Sequence, residues 1–232
     1  MAYRPGYGQV DRAYGMRMAT MAPDEDGPVL MVNLMRYRER AAYADGTDGG
    51  VSGREADDRY APVEVLADIG ATVVLFGDVV AQPVGATPRW DRVGCVRYPT
   101  RRSFVEMQNR TDFRDQHRHK EAGMAETIVM GCQPEGGPAG PGGTARDRGR
   151  FVLVEVRHRA APGGPGTPGD AASVFPYRVE GTIVGDGRTW ETVRFTRFDT
   201  EEAAVAAATA ASGTGPDEDR YGLVVAARID RL

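Results

Sequence analysis

A Trp-acid-x-Val quartet occurs twice, one hundred residues apart, as Trp90-Asp91-Arg92-Val93 and Trp190-Glu191-Thr192-Val193. Each sits in a segment of alternating apolar character that reads as a strand. The offset therefore points to an internal duplication of a unit about one hundred residues long. A chain of 232 residues holds two such units with connectors.

The first unit shows its elements clearly. Val29–Met35 is a near-continuous apolar run interrupted by Asn33, the pattern of a strand covered on both faces. Ser52 and Glu55 form a capping box that opens a helix ending near Gly70, with Pro62 predicting a kink or break inside it. Ala71–Val80 and Trp90–Tyr98 read as strands, Thr100 as the cap of a second helix that turns Phe104, Met107 and Phe113 inward, and Ala125–Cys132 as a fourth strand. The order β-α-β-β-α-β is the split βαβ, or ferredoxin-like, unit. Residues 133–149 are rich in Gly and Pro and read as a linker. The rest repeats the pattern: Phe151–Arg157, a hairpin of Tyr177–Val184 with Thr189–Phe198, a helix over 201–211 capped by Asp199 and Glu202, and Tyr221–Ile229. Residues 160–176 replace the first helix with Gly/Pro-rich loop.

A single sheet of this kind leaves one apolar face bare, and two of them facing each other bury both. The expected fold class is α+β: tandem ferredoxin-like repeats forming a pseudo-dimeric α+β barrel. Residues 1–28 are expected to be a loose arm, 29–134 the repeat carrying the site, 135–149 the linker, and 150–232 a degenerate repeat serving as scaffold.

Charge and composition exclude several classes. Twenty-nine basic against 33 acidic residues give −4, against a nucleic-acid partner. No apolar stretch reaches membrane-spanning length and the N-terminus has no signal-peptide core, so the expectation is a cytoplasmic protein without a membrane partner. Cys95 and Cys132 lack CxxC spacing and are expected to be reduced bystanders. Lys120 is the one lysine; the arginine excess reads as the coding bias of a GC-rich genome. No metal is expected. His117 and His119 diverge on a helix, and the Asp45–Gly50 loop lacks EF-hand spacing. The absence of GxGxxG after a strand argues against a Rossmann domain.

Several residues together resemble one family. Val32-Asn33-Leu34-Met35-Arg36-Tyr37, Tyr43-Ala44-Asp45-Gly46, Ser52-Gly53-Arg54-Glu55-Ala56, Tyr60, Trp90-Asp91, Tyr98-Pro99, His119 and Ala122-Gly123-Met124-Ala125 are similar to the DUF1330 family of dimeric α+β barrels, over about residues 29–134. The tandem layout and long first loop resemble the ring-opening oxygenases of angucycline pathways (jadomycin, gilvocarcin and kinamycin type), related in fold to antibiotic-biosynthesis monooxygenases. That resemblance implies O2 chemistry on an aromatic polyketide quinone. It also implies reduced flavin, FAD or FMN, as a diffusible cosubstrate from a separate reductase. A homodimer stays open. A cofactor-independent anthrone-type monooxygenase and a carrier for a hydrophobic aromatic intermediate are the alternative readings.

Such chemistry calls for aromatic walls, a base and neutral donors for an oxyanion. Asn33, an amide in an apolar strand, is read either as a donor to substrate or as a structural backbone bond. His119, where the family places its histidine, is read as the base or as a helix C-terminal surface residue. Tyr60, Trp90, Arg92, Met107 and Phe76 are candidate substrate contacts, with core packing the competing role for Trp90 and Tyr60. Arg54 and Arg36 are candidates for a phenolate or a flavin phosphate.

Overall fold

The computed structural model describes residues 5–47, 50–60, 62–85, 87–136, 151–158, 173–211 and 220–232. Most of the linker and most of the 160–176 loop lie outside the described residues.

Chain order explains the architecture. In the first half, β2 (Val29–Tyr37), β3 (Thr72–Val84), β4 (Arg92–Tyr98) and β5 (Met124–Pro134) lie side by side as β5-β2-β4-β3, all antiparallel. In the second half, β6 (Phe151–Arg157), β7 (Ser173–Gly185), β8 (Thr192–Phe198) and β9 (Arg220–Asp230) lie as β9-β6-β8-β7. The halves join twice, β3 to β9 and β5 to β7, closing eight antiparallel strands into a barrel. Closure leaves no bare edge in the ring, which removes the template for edge-to-edge association.

Alternation along the strands sorts the side chains. Leu30, Val32 and Leu34 face inward with Val93, Cys95, Val154 and Phe195 in the barrel core, while Val29 and Met31 turn outward beneath the helices. Trp90, Trp190 and Tyr221 all join the interior, the two indoles 5.7 and 5.3 Å from the Tyr221 ring. The repeated quartet therefore supplies matched aromatic plugs. Because β4 begins only at Arg92, Trp90 and Arg92 do not share a face as a continuous strand demands: Trp90 points into the barrel and Arg92 outward.

The helices follow local signals. Ser52 caps α2 (Gly53–Arg59) with the reciprocal Glu55 bond, and Pro62 separates it from α3 (Val63–Asp68). Thr100 caps α4 (Arg101–Asn109), and the chain turns at Arg110 into α5 (Thr111–Gly123). In the second half the cap of α6 (Glu201–Ala210) is Thr200, whose hydroxyl accepts from Ala203, not Asp199. None of the described helices is long and apolar enough to cross a membrane.

The N-terminal arm departs most from expectation. It contains a short strand β1 (Gln9–Val10) on β7 and a helix α1 (Arg12–Thr20) capped by Asp11. Tyr14 and Met18 of α1 are buried, four residues apart on one face. Tyr14 lies over Gly131 of β5 and Gly181 of β7, straddling a seam between the two halves, and donates to Glu180 at 2.6 Å. Arg101 grips the same carboxylate with two bonds of 2.8 and 2.6 Å. A Cβ on Gly181 would stand 2.6 Å from the Tyr14 ring. Gly181→Ala is therefore expected to lift α1 and lower stability by about 1–3 kcal/mol. Urea denaturation and the rate of proteolysis within residues 1–28 read this out, and unchanged values would mean that α1 is not the clasp.

Candidate functional site

Period-two spacing from Val29 and Met31 places Asn33 on the outward face of β2, beneath the helices. Gly94 of β4 stands opposite Asn33, and Phe76 of β3 stands opposite Gly94. The absent side chain at Gly94 leaves room for the Phe76 ring, 3.6 Å from where a Cβ would lie. The Asn33 amide donates to the Gly94 carbonyl at 3.3 Å, and its oxygen accepts from Lys120 Nζ, also at 3.3 Å. Lys120 arrives from α5, half-buried, with its ammonium 5.5 Å from the Tyr60 ring centre. Among the described residues no carboxylate forms an ion pair with it. Burial pulls the amine below its ordinary range, and the negative charge of Asp57 partly opposes this.

Phe113, His117 and Lys120 recur at i, i+4 and i+7, so they share one stripe of α5. His117 stacks on Phe113 at 5.2 Å and meets the Tyr60 edge at 5.8 Å. Its Nε2 lies 3.2 Å from the Tyr7 hydroxyl, and its buried Nδ1 has no partner. Burial, reinforced by the charge of Lys120, pulls the imidazole down to about 4, so it is neutral at pH 7. Burial pushes Tyr7 up to about 12 and also holds Tyr60 protonated.

The flank of the site is an ion cluster. Arg92, fully buried, donates from Nη1 to Asp57 at 3.1 Å and Asp58 at 2.7 Å, and from Nε to Asp78 at 3.0 Å. Its guanidinium lies 4.8 Å from the Phe76 ring and 5.4 Å from Tyr37, whose hydroxyl donates to Asp57 at 2.5 Å. Arg54 pairs with Asp78 at the rim.

The residues expected from sequence thus separate. Asn33, Tyr60 and Phe76 converge. Arg92 lies against Phe76, with Nε and Nη1 engaged by carboxylates and its buried Nη2 without a partner. Trp90 faces the barrel interior. Met107 is core beneath α4, its sulfur 3.8 Å from the Tyr98 hydroxyl. Arg36 is exposed and paired with Glu126. His119 lies off the α5 stripe and meets Tyr43 at 2.9 Å. Lys120, His117, Tyr7 and Asp57 had not been anticipated. The i, i+4, i+7 stripe carried the signal for two of them. Among the described residues no cluster of three or more His, Cys, Asp or Glu is arranged around a common point.

A consequence for pH follows from His117. Its folded pKa of about 4 lies below the ordinary 6.5, so the unfolded chain binds the proton first. The stabilisation is present above pH 6.5 and is lost as pH falls towards 4, by on the order of 3 kcal/mol at most. Urea midpoints at pH 7.5, 6 and 5 should fall in the wild type and lose most of that slope in His117→Gln; parallel slopes would refute the assignment.

Comparison with known proteins gives similarity in structure only: no protein-family model matches the chain, and no curated protein matches it either. A protein of unknown function from Rhodopseudomonas palustris, RPA0582, is 30% identical, with 53% of this chain and 95% of that one covered and a TM-score of 0.45. A Lactobacillus acidophilus protein carrying the provisional name of monooxygenase is 9% identical, with 88% and 96% covered and a TM-score of 0.44. A Fusobacterium nucleatum protein with the same provisional name is 10% identical, with 88% and 94% covered and a TM-score of 0.46.

Proposed function

We propose that the protein is an oxygenase that ionises a phenolic or enolic aromatic substrate beneath α5 and delivers its electrons to O2. The observation carrying this reading is Lys120: a desolvated ammonium with no ion-pair partner among the described residues, set on an amide and against an aromatic ring. A buried charge left without its counter-ion is costly, and a substrate oxyanion is the partner that fits.

The roles follow from the atoms. With Nε2–H donating to Tyr7, neutral His117 offers Nδ1 as an acceptor to the substrate hydroxyl, and the proton passes to solvent as the oxyanion pairs with Lys120. Lys120 Nζ and Asn33 Nδ2 hold the oxygen on which charge develops. The delocalised carbanion passes electrons to O2, and proton return gives a carbon-bound hydroperoxide. Loss of water then leaves C=O, so CH2 plus O2 becomes C=O plus H2O. Tyr60 and Phe76 supply the aromatic walls.

The finer form of the proposal is ring cleavage of an angucycline-type polyketide quinone with reduced flavin. Here the residues do not fit: Arg54 and Arg36, the candidates for a flavin phosphate, are each engaged by a carboxylate. The cofactor-independent form is therefore preferred. The shared strand order of the two halves supports an origin by tandem duplication of a ferredoxin-like unit. A carrier for a hydrophobic aromatic remains the second reading, favoured by the apolar and aromatic character of the side chains between α5 and the sheet.

The experiment is incubation of a dehydrorabelomycin-like hydroxyquinone and, separately, an anthrone with the protein under 18O2, with and without a flavin-reducing system. Labelled product without flavin is expected. Label only with flavin restores the flavin form, and ligand bound but unchanged in both arms establishes the carrier.

A further inference from the structure

The walls around Lys120 and His117 are not held equally firmly. The helices α2 and α5 meet backbone to backbone: a Cβ on Gly53 would stand 2.4 Å from the Gly123 carbonyl oxygen and 2.5 Å from that of Arg38. Helices seated this closely do not part without losing their packing. Along the β5–β7 seam the wall is instead the chain before α1. β7 pairs with β5 only as far as Val184 opposite Val129, and the arm continues from there, the Thr127 amide donating to the Tyr7 carbonyl at 3.0 Å. Tyr7, 7% exposed, fills the gap among Met35, Met124, Tyr37 and Val184, with its hydroxyl 3.2 Å from His117 Nε2.

This stretch is a strap pinned at one end. From Asp11 onwards it is fixed: the Asp11 amide donates to the Ile183 carbonyl at 3.0 Å, and α1 is held by buried Tyr14 and Met18 and by the Glu180–Arg101 pair. Before Asp11 the chain is tied by the two-residue ladder of β1, the Thr127 bond and the Tyr7 phenol, with Gln9 and Val10 exposed. Short, exposed ladders open at little cost in free energy. Gly8 joins β1 to Tyr7 and passes so close to β7 that a Cβ there would lie 2.7 Å from Val184 Cγ1 and 3.2 Å from the Gly185 carbonyl oxygen. A residue without a side chain lets the strap lie down at that point and turn about it.

We propose that residues 5–10 form a lid over the recess of His117 and Lys120, hinged at Gly8 and latched by the Tyr7 hydroxyl on His117. A ligand enters when Tyr7 swings off His117 and is shut from water when it returns. The inference rests on the Lys120 reading only for what enters, so the lid itself is tested without a ligand.

Neutral His117 is the reporter, because diethyl pyrocarbonate acylates an unprotonated imidazole once it can reach it. His158, just past β6 and bonded to the Thr189 carbonyl, is the internal control. In Gly8→Cys/Val184→Cys, oxidation fastens the strap at its hinge. With the disulfide verified by mass spectrometry and the reductant removed before labelling, modification of His117 is expected to be about tenfold or more slower in the oxidised than in the reduced protein. The rate at His158 is expected to be the same in both. Gly8→Val, whose side chain has no room against Val184, is expected to unseat the strap and raise the His117 rate above wild type by a similar factor, again with His158 unchanged. Equal His117 rates in the oxidised and reduced pair, or in Gly8→Val and the wild type, would overturn the proposal. A hydroxyquinone then separates lid from site. Association slowed by the disulfide and binding lost in Lys120→Met support both, whereas slowed association with binding kept in Lys120→Met supports the lid and refutes the Lys120 reading.

Discussion

Lys120→Met is expected to lower turnover by about 10²–10³-fold, the usual cost of removing a main donor to a developing oxyanion. It is also expected to leave stability unchanged or raise it by about 1 kcal/mol. The two signs together are diagnostic. A lysine kept for structure is missed when it is removed. An ammonium desolvated on Asn33 and Tyr60 without a carboxylate is a burden on the fold, and methionine fills the same stripe of α5 without that burden. Steady-state kinetics under 18O2 and a denaturation curve on the same preparation read both quantities. A drop in stability of more than about 2 kcal/mol would assign Lys120 to structure instead.

The largest stability effect is expected at Arg92. Its guanidinium meets Asp57, Asp58 and Asp78, and Asp57 also accepts from Tyr37. Removing the cation leaves Asp57, 5% exposed, as a buried carboxylate without its charge partner. A loss of about 3–5 kcal/mol is expected for Arg92→Met. Arg92→Lys should recover little, because one ammonium does not reproduce donation to three carboxylates from two guanidinium nitrogens. Replacing Asp58, half exposed in its side chain, should cost under about 1 kcal/mol. Equal losses at Asp57 and Asp58 would contradict this ranking.

What the sequence made legible was local. The Ser52–Glu55 box, the break at Pro62, the cap at Thr100 and the two tryptophan quartets are each set by neighbours a few residues apart, and each appears in the structure. Asn33 stood out because one amide interrupted an apolar run. The missed features depend on distant partners. Tyr14 and Met18 recur at helical spacing, but Tyr14 is seated on Gly131 and Gly181, more than one hundred residues away. Tyr7 matters only because the arm returns to His117. Lys120 was visible as the one lysine, yet the same arginine excess that isolated it made it look like coding bias. The choice of His119 over His117 followed family position, whereas the facing side of α5 is set by the Phe113, His117, Lys120 stripe.

The central claim is that Lys120 and Asn33 together stabilise an ionised aromatic oxygen beside the neutral His117. The most direct measurement is the visible spectrum of a hydroxyquinone bound anaerobically, taken at a pH below the ligand's own pKa. The account predicts the red-shifted phenolate spectrum in the wild-type protein and the neutral-phenol spectrum in Lys120→Met at full saturation. A neutral ligand in the wild-type protein, or the same phenolate in both, would contradict it.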